Sequence, residues 1–192
     1  MSEIKKFWPK LFLGCIFTFL NYVRIGIIVT RMADLFVALE NIRSVHNVGA
    51  ILRTCSFFGI KKVFLIGYSG KEKLPNGVYE LSPKLNKTAL GSQLDVELVL
   101  ADTSADFLDL CKEQAVTVLA VEQHKGSQDI YTYVSQSPSV LVFGNEVDGV
   151  SEIVISQAKH ILEIPCHGIH NSLNVSVSCG VALGVLMRNM LH

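Results

Sequence analysis

The sequence predicts an α/β fold with a parallel sheet, and three observations support that prediction. Short apolar runs of strand length alternate along the chain with longer segments of helical periodicity. The 192 residues are 49% hydrophobic, which is enough to build one globular domain with a sizeable core. After Met32 the sequence contains no internal repeat, low-complexity tract or linker that would divide it into two domains.

Residues 1–31 differ in character from the rest of the chain. They combine a basic flank with an apolar run over residues 11–30, which is about long enough to span a bilayer. Arg24 lies inside this run, and a central arginine costs about 2.5 to 3.5 kcal/mol on insertion scales. The segment is therefore either a membrane anchor or an upstream extension that is not translated, with the true start at Met32. We favour the second interpretation, which leaves residues 32–192 as a cytoplasmic functional domain.

The first half of this domain has the pattern of a strand, a helix, a second strand and a long polar loop. The corresponding segments are 35–41, 48–59, 61–67 and 68–93. Asn47 has a side chain that can cap the helix at its start, and Gly59 can end it. Loops as long as the polar stretch are usually functional or mobile, so this one is expected to contain at most short structure.

The second half of the domain continues the alternation of strands and helices. Segments with strand character are 116–123, 139–146 and 160–165, and segments with helical character are 105–114, 150–158 and 174–190. Ser104 is expected to cap the first of these helices. The final helix is apolar nearly all round, so part of it is expected to form the interface of a homodimer.

The 17 basic and 17 acidic residues cancel in formal charge, but they are segregated along the chain. The net charge is +4 over residues 1–31, +4 over residues 32–90 and −8 over residues 91–192. This asymmetry allows one face to meet an anionic partner while the whole molecule stays neutral. The alternative is ordinary solvated surface charge.

The five cysteines are odd in number and have no paired short spacing. Neither a disulfide framework nor a CxxC zinc site is therefore predicted, and a reducing, intracellular setting is favoured. His167 and His170 lie three residues apart, but no distant pair of ligands completes a metal site with them. No metal is expected.

Three loops of unusual composition follow predicted strands. They are NIRSVHNVGAILR at residues 41–53, FGNEVDGVS at residues 143–151 and IPCHGIHNSLNVS at residues 164–176. In parallel sheets, ligands bind beyond the carboxyl ends of the strands, where these loops would meet. Gly144 and Gly149 permit tight turns whose exposed backbone N–H and C=O groups can contact an adenine edge without side chains.

Taken in this order, the three loops resemble the motifs of the SpoU (TrmH-type) branch of the SPOUT RNA ribose methyltransferases. The family motifs are N-x-G-x-x-x-R, G-x-E-x-x-G, and I-P followed by S-L-N-V-S. They match Asn47, Gly49 and Arg53 in the first loop, Gly144, Glu146 and Gly149 in the second, and Ile164, Pro165 and 172–176 in the third. The resemblance covers residues 35–190.

This resemblance implies a homodimeric enzyme with a doubly wound α/β domain whose C-terminal part forms a trefoil knot. It also implies binding of S-adenosylmethionine at the knot. The implied adenosine contacts are Val121, Gly144, Ile164, Ser172 and Leu173. No G-x-G-x-x-G motif opens a helix in this sequence, so a nicotinamide cofactor is disfavoured.

The implied reaction is attack by a ribose 2′-oxygen of RNA on the methyl group of a sulfonium, which requires no metal. In this family the arginine of the first motif is credited with activating the hydroxyl, and this places the role on Arg53. Two roles are open to Arg53: it removes the proton, or it binds the adjacent phosphate and stabilises the developing alkoxide. The second role avoids the difficulty that guanidinium scarcely deprotonates in proteins. Arg53 is expected to face the cofactor cleft. Asn47, Glu146 and Asn174 are the matched polar residues expected to orient Arg53 or the ribose.

Selection of the RNA is expected to come from basic residues of the domain itself. The group comprises Arg43, Lys61, Lys62, Lys71, Lys73, Lys84 and Lys87. The SLNVS motif resembles the enzymes that act on guanosines of tRNA and ribosomal RNA more than it resembles the wobble-position enzymes. The alternative is a SPOUT-like protein that has lost catalysis and acts as an RNA-binding or assembly factor. The intact Asn47, Arg53, Glu146 and Asn174 favour the enzyme.

Overall fold

The computed structural model describes residues 34–135, 138–169 and 172–190. The expectations for residues 1–31, as a membrane anchor or an untranslated extension, lie outside these described residues. Within the described ranges, no helix is both long enough and apolar enough to cross a membrane.

Nine strands are present in the described part of the chain. They are β1 (Leu35–Glu40), β2 (Lys62–Ile66), β3 (Lys71–Lys73), β4 (Tyr79–Leu81), β5 (Glu97–Ala101), β6 (Thr117–Val121), β7 (Gln128–Asp129), β8 (Ser139–Phe143) and β9 (His160–Glu163). Seven of them form one sheet in the spatial order β5-β2-β1-β8-β6-β9-β7, and every neighbouring pair is parallel. β3 and β4 form a separate antiparallel hairpin. The predicted α/β class with a mostly parallel sheet is confirmed.

Five α-helices accompany these strands in the described residues. They are α1 (Val45–Phe58), α2 (Pro83–Ala89), α3 (Ser104–Glu113), α4 (Glu152–Gln157) and α5 (Val175–Asn189). Val37 and Leu39 of β1 belong to a buried cluster with α1 and α5, whereas Ala38 belongs to a second cluster with α3 and α4. Successive residues of a strand point to opposite faces, so helices cover both faces of the sheet. The domain is doubly wound, as the family resemblance implies.

α1 begins a few residues earlier than the sequence predicts. Ser44 is its N-cap, and the Ser44 hydroxyl accepts a hydrogen bond from the Asn47 backbone N–H at 3.3 Å. The prediction that Asn47 caps the helix is therefore wrong, because Asn47 already lies in the first turn. Gly59 ends the helix as predicted, with a left-handed φ of 73°.

α3 also has a cap other than the predicted one. The Thr103 hydroxyl accepts the Asp106 backbone N–H, and the Asp106 carboxylate accepts the Thr103 backbone N–H. This reciprocal pair satisfies two backbone donors at once, which a single serine cap cannot do. Ser104 is the first residue of the helix instead, and its hydroxyl donates to the buried Glu40 carboxylate. The prediction of Ser104 as the cap is wrong by one residue.

Residues 68–93, predicted as a long loop, contain the β3-β4 hairpin, α2 and the start of a 3-10 turn at Ser92–Leu94. α2 packs closely on α1. At Gly49 a Cβ would lie only 2.3 Å from the Thr88 hydroxyl oxygen, so the close approach of the two helices requires glycine there. β5 is not among the predicted strands. This strand lies at the edge of the sheet, and of its five residues only Ala101 is buried.

The order of the sheet positions the three motif-bearing loops. β1, β8, β6 and β9 are consecutive neighbours and run parallel, so their carboxyl ends lie side by side at one edge. The three loops follow β1, β8 and β9, and the residues after β6 lie between them. All four segments therefore meet at the same edge of the sheet.

Candidate active site

A cavity of about 670 Å³ opens at this carboxyl edge of the sheet. Its volume lies in the range of small-molecule sites, about 300 to 1,000 Å³. The residues predicted to contact adenosine all line it, namely Val121, Gly144, Ile164, Ser172 and Leu173. The structure thus brings together every position that the family resemblance assigned to the cofactor.

The second loop is a tight turn closed by its own backbone. The Asn145 N–H donates to the Gly149 carbonyl at 3.0 Å, and the Gly149 N–H donates to the Asn145 carbonyl at 2.9 Å. A Cβ at Gly144 would lie 2.1 Å from the Gly149 carbonyl carbon. Gly149 has a φ of 72°, and a Cβ there would lie 2.4 Å from the Glu122 carboxylate. At both motif glycines a side chain would collide with other protein atoms, which explains why both positions are glycine.

Glu146 projects from this turn toward the first loop. Its carboxylate accepts hydrogen bonds from the backbone N–H groups of Arg43 at 2.9 Å and Ser44 at 3.2 Å. A third comes from the side-chain amide of Asn47 at 2.9 Å. Partial burial disfavours the charged form, but the hydrogen bonds outweigh it, so the pKa of Glu146 lies below its usual value of 4.5. Glu146 is therefore an ionised acceptor at the start of α1, where the helix dipole also favours negative charge.

Asn174 connects the third loop to the same group. It is the N-cap of α5, and its side-chain oxygen accepts the Ser176 backbone N–H at 2.9 Å. Its side-chain nitrogen donates to the side-chain oxygen of Asn47 at 3.2 Å. Glu146, Asn47 and Asn174 thus form a continuous chain of hydrogen bonds across the three loops. Glu146 and Asn174 also line the cavity.

Arg53 does not line this cavity. It is exposed on α1 and borders a separate open depression together with Phe57 and Ser92. Asn47 and Arg53 are six residues apart, so their side chains leave the helix about 120° apart and about 9 Å apart along its axis. Because Asn47 is the residue directed toward Glu146, the expectation that Arg53 faces the cofactor cleft of its own chain is wrong.

The predicted RNA-binding residues are divided between two ends of the sheet. Arg43 is exposed in the first loop, and α2, which carries Lys87, packs beside the start of α1. Lys61 and Lys62 lie at the amino end of β2, on the edge opposite the cavity. Lys62 forms an ion pair there with Glu97 at 3.8 Å. The predicted basic residues therefore do not form a single group. Lys61 and Lys62 lie at the amino end of β2, whereas Arg43 lies beyond the carboxyl end of the parallel strand β1.

Sequence reasoning missed two polar residues of the site. Glu122 follows β6, lines the cavity and accepts the Val150 backbone N–H at 3.0 Å. Asn145 is only 8% exposed and bonds to both the first and the second loop. Each follows the carboxyl end of a buried parallel strand within two residues. That position is the signal that could have identified them.

The walls of the cavity combine apolar side chains with negative charge. Four carboxylates line it, from Glu122, Glu146, Asp148 and Glu152. Of the described residues that line it, none is a lysine or an arginine. Such walls suit a ligand that carries both an apolar ring and a positive charge.

Metal-binding side chains are scattered through the described part of the chain. In residues 34–135, 138–169 and 172–190, no group of three or more His, Cys, Asp or Glu side chains is placed to hold a metal ion. Cys55, Cys111 and Cys179 are buried in the core. His170, one of the two histidines considered as zinc ligands, lies outside the described residues.

Residues 34–184, which build the sheet and the cavity, match the sequence profile of the SpoU rRNA Methylase family. The tRNA (guanosine(18)-2'-O)-methyltransferase of Thermus thermophilus is 34% identical over 161 residues, covering 84% of this chain and 78% of the relative. The crystal structure of the A. aeolicus TrmH/SpoU tRNA modifying enzyme has a TM-score of 0.70 at 30% identity, over 83% of this chain and 76% of that one. An AdoMet-bound rRNA methyltransferase from Sinorhizobium meliloti has a TM-score of 0.72 at 27% identity, over 86% and 60%. The chain therefore belongs to the SpoU rRNA methylase family.

Proposed function

We propose that this protein transfers a methyl group from S-adenosylmethionine to a ribose 2′-hydroxyl of structured tRNA or ribosomal RNA. Membership of the family supports this activity. The observation that carries the proposal is geometric: the five predicted adenosine contacts line one cavity, and Glu146 and Asn174 line it too. The Thermus relative acts on guanosine 18 of tRNA, which supports a guanosine as the target nucleotide.

S-adenosylmethionine fits this cavity in volume and in charge. When bound, the cofactor supplies an electrophilic methyl group on a positively charged sulfur. The carboxylates of Glu122 and Glu146 lie in the wall, where negative charge stabilises a cationic ligand. Val121, Ile164 and Leu173 provide apolar surface for the adenine ring, and the loop backbone provides hydrogen-bonding groups for its edge.

Glu146, Asn47 and Asn174 are assigned to orienting the ribose. Their hydrogen bonds hold the three loops in one arrangement before any substrate binds. Methyl transfer requires the attacking oxygen, the methyl carbon and the sulfur to be aligned. Orientation of this kind supplies up to about 7 to 11 kcal/mol in favourable cases. A rigid set of polar side chains beside the cavity can provide it.

Arg53 is assigned to the cavity of a second copy of the chain. In its own chain Arg53 is exposed and lies outside the cavity. Phe57 beside it is 83% exposed and Leu94 is 85% exposed, while Val177 is half exposed on α5. Association of two copies over this apolar surface would remove it from water. Arg53 could then reach the partner's site, where its guanidinium would bind phosphate and stabilise the developing alkoxide.

The RNA surface is assigned to the basic residues near the first loop. Arg43 is exposed in that loop, and Lys84 and Lys87 lie on the exposed side of α2, which packs against α1. Phosphate contacts of this kind position an RNA without reading its sequence. Lys61 and Lys62 are excluded from this surface because they lie at the opposite edge of the sheet.

A transfer assay tests the proposed activity. The protein is incubated with methyl-labelled S-adenosylmethionine and with bulk tRNA and ribosomal RNA from cells that lack the gene. We expect label in one RNA species, at a ribose that methylation maps show to be modified only in normal cells. RNA from normal cells is the control and should accept little label. Binding of the RNA without any transfer would contradict the enzyme and favour a non-catalytic RNA-binding factor.

We also propose that the C-terminal part is threaded as a trefoil knot and that the protein acts in the cytoplasm as a homodimer. The family resemblance supports the knot and the dimer, and the RNA substrates of the relatives support the location. Sedimentation at micromolar concentration should show a dimer. A monomer alone under these conditions would contradict the proposed assembly.

A further inference from the structure

The turn that follows β2 contacts the active-site loops on the side away from the cavity, through hydrogen bonds of Tyr68 and Ser69. Ser69 in this turn is fully buried. Its hydroxyl donates to the Leu39 carbonyl at 2.7 Å and accepts the Ile42 backbone N–H at 2.8 Å. Ser69 therefore ties the end of β1 to the start of the first loop. The family motifs do not include this turn.

Tyr68 in the same turn is bonded to the second loop through Asn145. The side-chain nitrogen of Asn145 donates to the Tyr68 hydroxyl oxygen at 2.8 Å and to the Asn41 carbonyl at 2.8 Å. The side-chain oxygen of Asn145 accepts the backbone N–H groups of Val147 at 2.8 Å and Asp148 at 3.1 Å. Both amide hydrogens of Asn145 are therefore used. Because Asn145 is nearly buried, an amide hydrogen left without an acceptor there would be costly.

These bonds join the first and second loops immediately beside the Glu146 contacts. Asn41 has a left-handed φ of 52°, which is unusual for a residue other than glycine, and Asn145 binds its carbonyl. Two residues later, the Arg43 backbone N–H donates to Glu146. Asn145 and Glu146 are adjacent in the chain, so two consecutive residues of the second loop form hydrogen bonds with the first loop. A shift of Asn145 would therefore move Glu146.

We propose that Tyr68 is a positioning residue for methyl transfer, acting through Asn145 to set where Glu146 meets the first loop. This inference rests on the proposed function. Tyr68 is not among the described residues that line the cavity, so it acts on the arrangement of the loops and not on the cofactor. Displacements of about 1 Å can lower a rate by about a hundredfold, so a hydroxyl behind the site can influence turnover.

Tyr68→Phe tests the inference because it removes only the hydroxyl and keeps the ring. The probe is transfer of label from S-adenosylmethionine to bulk tRNA and ribosomal RNA from gene-deleted cells. We expect kcat to fall about tenfold, as for the loss of one buried hydrogen bond. The affinity for S-adenosylmethionine, measured by calorimetry, should stay within about threefold of the wild type. Tyr131→Phe is the matched control and should transfer methyl groups at the wild-type rate. Tyr131 is 53% exposed, and its hydroxyl forms no hydrogen bond among the described residues.

The same substitution in an Asn145→Ser background shows whether Tyr68 acts through Asn145. Serine keeps a hydroxyl acceptor for the turn but is too short to reach Tyr68. If Tyr68 acts through Asn145, Tyr68→Phe should slow transfer less than about twofold in this background. About tenfold slowing in both backgrounds would overturn the proposal.

Other outcomes also decide the inference. Unchanged kcat in Tyr68→Phe would overturn it, and so would a loss of cofactor affinity with kcat intact. If Asn145→Ser does not fold, as judged by its Tm, the comparison of kcat with cofactor affinity in Tyr68→Phe decides alone. Absence of transfer by the wild-type protein would contradict the proposed function, and the inference with it. Wild-type transfer that is insensitive to Tyr68→Phe would overturn only the inference.

Discussion

The side-chain nitrogen of Asn47 lies 2.9 Å from a carboxylate oxygen of Glu146, although 99 positions separate the two residues in the chain. The same carboxylate accepts the backbone N–H groups of Arg43 and Ser44. One ionised side chain from the second loop therefore holds both the backbone and a side chain at the start of α1. Since all these partners are donors, the arrangement depends on the charge of Glu146.

We expect Glu146→Gln to remove an acid-sensitive part of the stability. Burial opposes ionisation, but the hydrogen bonds favour it more strongly, so the pKa of Glu146 is lowered in the folded protein. A lowered pKa means that this stabilisation is fully present above the unfolded value of 4.5 and is lost as the pH falls through the folded value. The Tm of the wild type should therefore exceed that of Glu146→Gln near neutral pH and approach it in acid. A constant difference in Tm across this range would contradict the assignment.

Gly144→Ala should destabilise the second loop. The added Cβ would lie 2.1 Å from the Gly149 carbonyl carbon and 2.2 Å from the Val150 nitrogen, and these backbone atoms cannot rotate away. We expect the free energy of unfolding to fall by roughly 1 to 3 kcal/mol, as measured by urea denaturation. Gly168→Ala is the matched control, because it lies in the third loop and its Cβ would meet nothing within 4 Å. Equal stability of the two variants would argue against the close approach.

The place of the cavity could be predicted from the sequence, because three loops of unusual composition follow strands of the predicted parallel sheet. Each loop begins directly after a strand or at its last residue, and the parallel strands of one sheet bring these ends to the same edge. The individual assignment of Val121, Ile164 and Leu173 to adenosine rests on the family resemblance. The hydrogen bond between Asn145 and Tyr68 could not be predicted, because it depends on the conformations of two loops. No local pattern encodes a hydrogen bond between residues 77 positions apart.

The direction of Arg53 could not be predicted for a different reason. A motif gives the position of a residue along a helix, but its direction depends on which face of the helix packs on the sheet. Asn47 and Arg53 leave α1 in different directions, so only one of them can face Glu146. For Lys61 and Lys62, which lie at the start of a strand, the sequence likewise does not give their position in the fold. Their charge is evident in the sequence, but the end of the sheet at which they lie is not.

Leu173→Trp should block cofactor binding by filling the part of the cavity that we assign to adenosine. Leu173 lines the cavity and is 52% exposed, so the larger side chain should leave the fold intact while occupying the ligand's space. We expect the affinity for S-adenosylmethionine, measured by calorimetry, to fall more than about tenfold. Ile169→Trp is the control, since Ile169 is 96% exposed in the same loop. Unchanged affinity in Leu173→Trp would place the adenosine elsewhere.

Arg53→Ala should separate cofactor binding from methyl transfer. Arg53 is assigned to the RNA phosphate and the developing alkoxide in the partner's site and not to the cofactor, so the affinity for S-adenosylmethionine should change little. Transfer to RNA should fall by about a hundredfold or more, as for the loss of one preorganised charge-stabilising group. Arg53→Lys should restore little, because a point charge cannot replace a planar guanidinium. The exposed Lys61→Ala, at the opposite edge of the sheet, is the control and should transfer normally. Undiminished transfer by Arg53→Ala would refute the catalytic assignment.

Mixed dimers of Arg53→Ala and Leu173→Trp chains should regain activity if Arg53 acts on the partner's cavity. Each parent dimer lacks one component at both of its sites. A mixed dimer contains one complete site, formed by the intact cavity of the Arg53→Ala chain and the intact arginine of the Leu173→Trp chain. Random reassortment makes half of the dimers mixed, so methyl transfer should recover to about a quarter of the wild-type value. If Arg53 served its own chain, no mixed dimer would contain a complete site, and transfer would stay at the level of the two parents.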